Sequence, residues 1–179
     1  LALRLPAAAR EALAEIELPG RFQLLQERPW VVLDGAHNPA AMAVLARCLQ
    51  NSFPNQPLTL ILGIMRDKDL DGMLREIVPY AQRVIIALPQ NERSAESRDL
   101  SRCVESFGVP CQEASSVGYA LDEALGAAQH EEVICVSGSF YTVGEALDHW
   151  DAQFNDLDSA VVATGAPRRA LVDSREMRF

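Results

Sequence analysis

Lysine is almost missing from this sequence: Lys68 stands alone against fifteen arginines, and an excess of acidic residues leaves a net charge of −9. That net charge argues against nonspecific nucleic-acid binding, which relies on a basic surface for the phosphates. A small anionic ligand is still allowed, because a few cations in a cleft can set the local potential against the net charge. Long apolar runs are missing too. The longest, Leu58 to Met65, falls far short of the roughly 20 residues that cross a bilayer, so no membrane span is expected. There is no charged start followed by an apolar core and a cleavage site, so a secretory leader is not expected, and a start at Leu1 suggests a piece of something longer. Cys48, Cys103, Cys111 and Cys135 form no C-x-x-C pair and no Cys/His grouping with zinc spacing, and read as reduced core residues of a cytoplasmic protein.

Three motifs are absent as well. No G-x-G-x-x-G follows any strand-like run, which weakens a nicotinamide or flavin enzyme. Nor is there a G-x-x-x-x-G-K-[ST] loop, so this chain alone cannot hold a nucleoside triphosphate in the usual way. The nucleophile elbow G-x-S-x-G fails around Ser139, with Ser137 and Tyr141 where its glycines belong, which argues against a serine hydrolase.

What is present is a regular alternation. At 179 residues, 49% hydrophobic and 23% charged, the chain can bury one continuous core. WVVLD (30–34), LTLILGI (58–64), RVIIALP (83–89) and VICVSG (133–138) are near-continuous apolar runs, with a weaker one near VPCQE (109–113). Helical patterns follow them: a stripe of Ala41, Leu45, Cys48 and Leu49, then Leu70–Ile77, Ser97–Phe107, Ser116–Ala128 and Val143–Trp150. Apolar strands alternating with helices predict a doubly wound, mostly parallel α/β sheet covered on both faces. FQLLQE (22–27) and WVVLD are separated only by Arg28 and Pro29, too few for a parallel crossover, so an antiparallel edge hairpin is predicted. Residues 1–18 read as a lead-in helix or linker, 19–154 as the domain, and 155–179, with Gly165 and Pro167, as a mobile or loosely docked tail.

In such sheets ligands sit at the carboxyl ends of the strands. Three loops there carry polar groups. In DGAHNP, Gly35 permits a sharp turn, Asn38 is a good N-cap and Pro39 fits the first helical position. Asp34 and His37 remain: the first could cap neighbouring backbone N–H groups, the second could be a solvated loop residue, or together they could face an anion at the helix start. In SGSFYTVGEAL, Thr142-x-x-Glu145 spells a capping box, unless Ser139 caps an earlier start. In MRDKD, Lys68 lies between two aspartates, and on spacing alone it reads as a salt-laced helix start.

Taken in order, LPGRF (18–22), LDGAHNP (33–39), MRDKD (65–69) and SGSFYTVGEAL (137–147) resemble the C-terminal domain of folylpolyglutamate synthase/dihydrofolate synthase, a branch of the Mur ligase superfamily. The resemblance covers about residues 1–150 and implies a Rossmann-like domain of the Mur ligase C-terminal type. It implies an ATP-dependent ligase of folate and one-carbon metabolism, which forms an acyl phosphate that the amine of L-glutamate attacks. Arg21 and Asp34 would belong to the ATP site, His37 and Ser139 to the glutamate site, and His37 and Lys68 to the catalytic cleft. The P-loop, the Mg²⁺ ligands and most of the folate or pteroate site would lie in an N-terminal ATPase domain in cis, so these 179 residues alone should be folded but inactive. A noncatalytic nucleotide- or partner-binding module and a cell-wall Mur ligase domain remain open as alternatives.

Overall fold

The computed structural model describes residues 18–164, with side chains to residue 153. The lead-in helix expected over 1–18, apart from Leu18, and the tail beyond residue 164 lie outside the described residues. Among these residues six strands form one sheet in the order β1-β2-β6-β3-β4-β5: β1 Gln23–Gln26, β2 Trp30–Asp34, β3 Leu58–Leu62, β4 Arg83–Ile86, β5 Cys111–Glu113 and β6 Val133–Ser137. All neighbours pair in parallel except β1 with β2, the antiparallel edge hairpin foreseen from the short Arg28-Pro29 connection.

Among the described residues, five helices cover the sheet: α1 Pro39–Ser52, α2 Leu70–Ile77, α3 Ser97–Glu105, α4 Val117–Ala127 and α5 Phe140–Thr164, with a short 3₁₀ turn at Val78–Tyr80. The alternation of side chains along each strand divides the core in two. Val32, Leu60, Leu62, Val84 and Cys135 pack with residues of α1, α2 and α3, while Val31, Leu33, Ile61, Ile85 and Val136 pack with α4 and α5. Both β3 and β6 are buried at every position, as strands with helices on both faces must be.

Local signals explain most helix starts. Asn38 Oδ1 accepts the Ala41 N–H at 2.9 Å with Pro39 at the first helical position, Asp69 Oδ1 accepts from Gly72 N at 2.9 Å, and Ser116 Oγ accepts from Tyr119 N at 3.1 Å. Three expectations need correction. The core face of α1 is Met42, Leu45, Ala46 and Leu49, one step round from the expected stripe, with Ala41 and Cys48 only half-buried beside it. The final helix begins at Phe140 rather than Val143, so Ser139, not Thr142, is its cap. It also continues to Thr164, past Trp150 and into the stretch read as tail, with no Gly or Pro between Trp150 and Gly165 to interrupt it.

At the amino ends of the strands, Glu132 is buried but paired: Thr59 donates its hydroxyl proton to the carboxylate, and Arg83 lies 3.8 Å from it while donating Nε–H to the Thr59 hydroxyl at 2.9 Å. This polar lock ties β3, β4 and the start of β6 together. A hollow of about 320 Å³ opens at the same end, lined by Leu49, Phe53, Leu58, Ile77 and Val133. None of the polar loops enters it.

Candidate functional site

The polar loops meet at the opposite end. Asp34, Ser137 and Leu62 are register partners on three adjacent strands, so the loops after β2, β6 and β3 leave the sheet side by side. The helix starts converge as well. A Cβ added to Gly72 in α2 would press on Pro39 at the start of α1, and Thr142 in α5 donates its hydroxyl to the Gly63 carbonyl at the end of β3, at 2.7 Å.

Asp34 organises the first loop. Its Oδ2 accepts the Phe22 N–H and its Oδ1 accepts the Ala36 N–H, both at 2.8 Å. Gly35 N–H adds a bond to the Gly20 carbonyl at 2.8 Å, so the P-G-R-F turn is strapped across the end of β2. That strap holds Phe22 at φ 44, a left-handed conformation uncommon for a residue with a side chain, next to Gly20 at φ 68. The backbone-capping role that the sequence allowed for Asp34 is the one its geometry displays. The turn then offers Arg21 to solvent, with its guanidinium carbon 4.6 Å from the centroid of the Phe140 ring.

His37 reaches the same ring from the other loop, with centroids 5.6 Å apart and planes tilted by 50°. Its Nδ1 lies 2.8 Å from the Gly35 carbonyl. A carbonyl can only accept, so Nδ1 carries a proton and that bond fixes the orientation of the ring.

Ser139 is buried at 3% exposure. Its Oγ accepts the Thr142 N–H at 3.1 Å and lies 2.8 Å from the Thr142 hydroxyl. Because Thr142 gives its own proton to Gly63, Ser139 must be the donor between the two hydroxyls. The chain of protons therefore runs from Ser139 to Thr142 to the Gly63 carbonyl. Glu145, expected in a capping box, instead accepts the Gln90 N–H at 2.6 Å and ties α5 to the loop after β4.

Lys68 is set apart from these four. Its Nζ pairs with Asp67 at 2.8 Å, and Asp67 also pairs with Arg93 at 3.2 Å. The hydrogen bond from Lys68 is the main reason the Asp67 carboxyl is held below its usual range. Lys68 borders a shallow hollow shared with Asp99, Arg102 and Cys103, between α2 and α3. Arg21 and His37 are thus brought together, Asp34 and Ser139 hold the loops beside them, and Lys68 stands further along the rim. Among the described residues, no group of three or more His, Cys, Asp or Glu could hold a metal ion.

Two contributors went unnoticed in the sequence. Phe140 was hidden as an apolar residue beside a serine-rich turn, although an aromatic at a strand-end helix start is itself a signal. Gly63 follows a buried strand, and a Cβ there would strike the Thr142 hydroxyl and the Ala87 carbonyl, so its small size is what lets three elements meet.

The profile of the Mur ligase, glutamate ligase domain matches residues 20–140. A probable bifunctional folylpolyglutamate synthase/dihydropteroate synthase of Haloferax volcanii is 34% identical over 90% of this chain and 20% of its own length. The Escherichia coli FolC structure with ADP superposes with a TM-score of 0.76 at 30% identity, covering 86% of this chain and 37% of that one. The Yersinia pestis folylpolyglutamate synthase/dihydrofolate synthase, solved with Mn, AMPPNP and L-glutamate bound, gives a TM-score of 0.73 at 30% identity over 84% of this chain and 36% of its own. The chain thus spans between a fifth and just over a third of these relatives. On the profile match, the ordered motifs and the strand-end geometry together, it belongs to the Mur ligase family, as a glutamate ligase domain similar to that of folylpolyglutamate synthase/dihydrofolate synthase.

Proposed function

We propose that this chain is the glutamate-accepting domain of an ATP-dependent ligase that adds L-glutamate to the carboxylate of a folate or dihydropteroate. The observation that carries the reading is the meeting of Arg21 and His37 on one ring at the carboxyl ends of the strands, where two subsites can share a border. In the reaction, the substrate carboxylate takes the γ-phosphoryl group of ATP, releasing ADP and leaving an acyl phosphate. The glutamate amine then attacks the acyl carbon, phosphate departs with the C–O bond electrons, and the amine loses a proton as the amide forms. Arg21 supplies a planar fork of N–H donors for phosphate oxygens and stabilises charge that builds on them. His37, its Nδ1 tied to Gly35, faces the incoming amino acid through Nε2. Asp34 serves the ATP site by fixing the turn that carries Arg21, Ser139 serves the glutamate site by fixing the start of α5, and Lys68 lies along the same cleft.

We assign the Mg²⁺ ligands and the phosphate cradle to an N-terminal ATPase domain in cis, ahead of a domain over 19–154, a reading supported by the lack of a P-loop in this sequence. Closure of that domain over the rim excludes water from the acyl phosphate. We place the enzyme in the cytoplasm, where thiols such as its free cysteines stay reduced.

The test is ATP-dependent glutamate addition by the chain joined to an N-terminal ATPase domain. Arg21→Ala should lower kcat/KM for ATP by about 100-fold, in the range seen when one donor to developing charge is removed. His37→Ala should raise KM for glutamate by about tenfold, near the effect of one lost charge-assisted hydrogen bond. Unchanged turnover in both variants would overturn the reading.

A further inference from the structure

Phe140 opens α5 directly after the Ser139 cap and leaves 44% of its surface exposed, an unusual place for a large aromatic ring. Two loops far from it in sequence close on it, and each has a glycine where it does so. A Cβ on Gly35 would collide with the ring, and one on Gly20 would come within 3.7 Å of it. Arg21 lies over the ring at 4.6 Å, inside the roughly 6 Å within which a cation is attracted to an aromatic face. No acidic group among the described residues is paired with Arg21, so the ring is the group seen to orient its guanidinium. His37 rests against the same ring at 5.6 Å.

We infer that Phe140 is a positioning residue that couples the nucleotide and glutamate subsites, because the side chains assigned to each subsite rest on one shared ring. The inference rests on the function proposed above and adds a link between its two substrates. A phosphate ligand that pins Arg21 where it lies over the ring fixes the ring, and a fixed ring holds His37 in place for the second ligand. The second then meets a site already ordered, which raises its affinity. Such coupling is reciprocal: AMPPNP strengthens glutamate binding by the same factor as glutamate strengthens AMPPNP binding.

The experiment uses the chain joined to its N-terminal domain and measures the Kd of AMPPNP with and without L-glutamate, and the converse. Wild type should show mutual strengthening of about fivefold, at the lower end of common coupling factors. Phe140→Leu keeps an apolar side chain at a half-exposed position but removes the aromatic face. It should weaken AMPPNP binding by about 3- to 30-fold, the range of a cation–π contact, and bring the coupling factor close to one. Phe140→Tyr and Phe140→Trp keep the face and should restore both affinity and coupling, which a merely space-filling role would not require. If Phe140→Leu retains wild-type affinities and coupling while Arg21→Ala and His37→Ala are impaired, this inference falls and the functional reading stands. If Arg21→Ala and His37→Ala are silent as well, both fall.

Discussion

Asp34 holds two backbone N–H groups that belong to different turns, one before β1 and one after β2. Hydrogen bonds to a charged acceptor contribute about 1.5–3 kcal/mol each, and removing the acceptor leaves both donors and the left-handed Phe22 without support. Asp34→Ala should therefore lower unfolding stability by about 2–3 kcal/mol in urea titrations, and Asp34→Asn, which keeps one good acceptor, by clearly less. A loss below about 0.5 kcal/mol for the alanine variant would show that the strap does not lock the turn. This residue also marks how far sequence could go. Capping of nearby N–H groups was a readable option, because the rule is local and Ala36 is two residues away. That its second partner would be Phe22 depended on the hairpin bringing the P-G-R-F turn back over the strand end. His37 is similar: its tie to Gly35 is local, but its meeting with Arg21 needs a ring from the last helix.

At the scale of elements, the start of α5 shows a local rule overtaken by tertiary partners. Thr142 and Glu145 have the spacing of a capping box, yet Gly63 draws the threonine hydroxyl and Gln90 draws the carboxylate. The real cap, Ser139, sits behind Gly138, whose φ of 107 turns the chain sharply out of β6. Ser139→Ala removes the cap and the proton donor to Thr142, and should lower stability by about 1–2 kcal/mol by thermal or urea unfolding. Ser139→Asn or Ser139→Asp restores an acceptor for the Thr142 N–H and should recover part of that loss. If alanine and asparagine variants are equally stable, the hydroxyl chain is not what anchors this helix. Elements whose signals were local, such as α1 behind Asn38-Pro39 and α2 over Leu70–Ile77, were legible at their starts. The core face of α1 was not, because nearly every residue from Ala40 to Ala46 is apolar and the stripe has no sharp edge.

Across the whole molecule, burial on both faces made the parallel sheet readable from its apolar runs, but the order β2-β6-β3 was not, since nothing in the runs says which strand inserts between which. The same two-sided burial predicts a pH response. Cys135, at the centre of β6, is fully buried, and burial pushes its thiol far above the ordinary value of 9.0. Below that pH both folded and unfolded chains keep the proton and stability is unaffected. Above it the unfolded chain releases the proton while the folded one retains it, so stability falls as pH rises, by up to about 1.4 kcal/mol per pH unit from this residue. Urea unfolding of wild type and Cys135→Ala at neutral pH and near pH 10 should show their difference shrinking at the alkaline end; a constant difference would contradict the argument. The sheet has a direction, with the polar loops at one end and the Glu132–Thr59–Arg83 lock at the other. Asn51, exposed near the last turn of α1, lies about 18 Å of helix from the loop that begins that helix. A dye or tether fixed there would stand clear of the polar loops around Arg21 and His37, which gives this end of the domain over to the engineer.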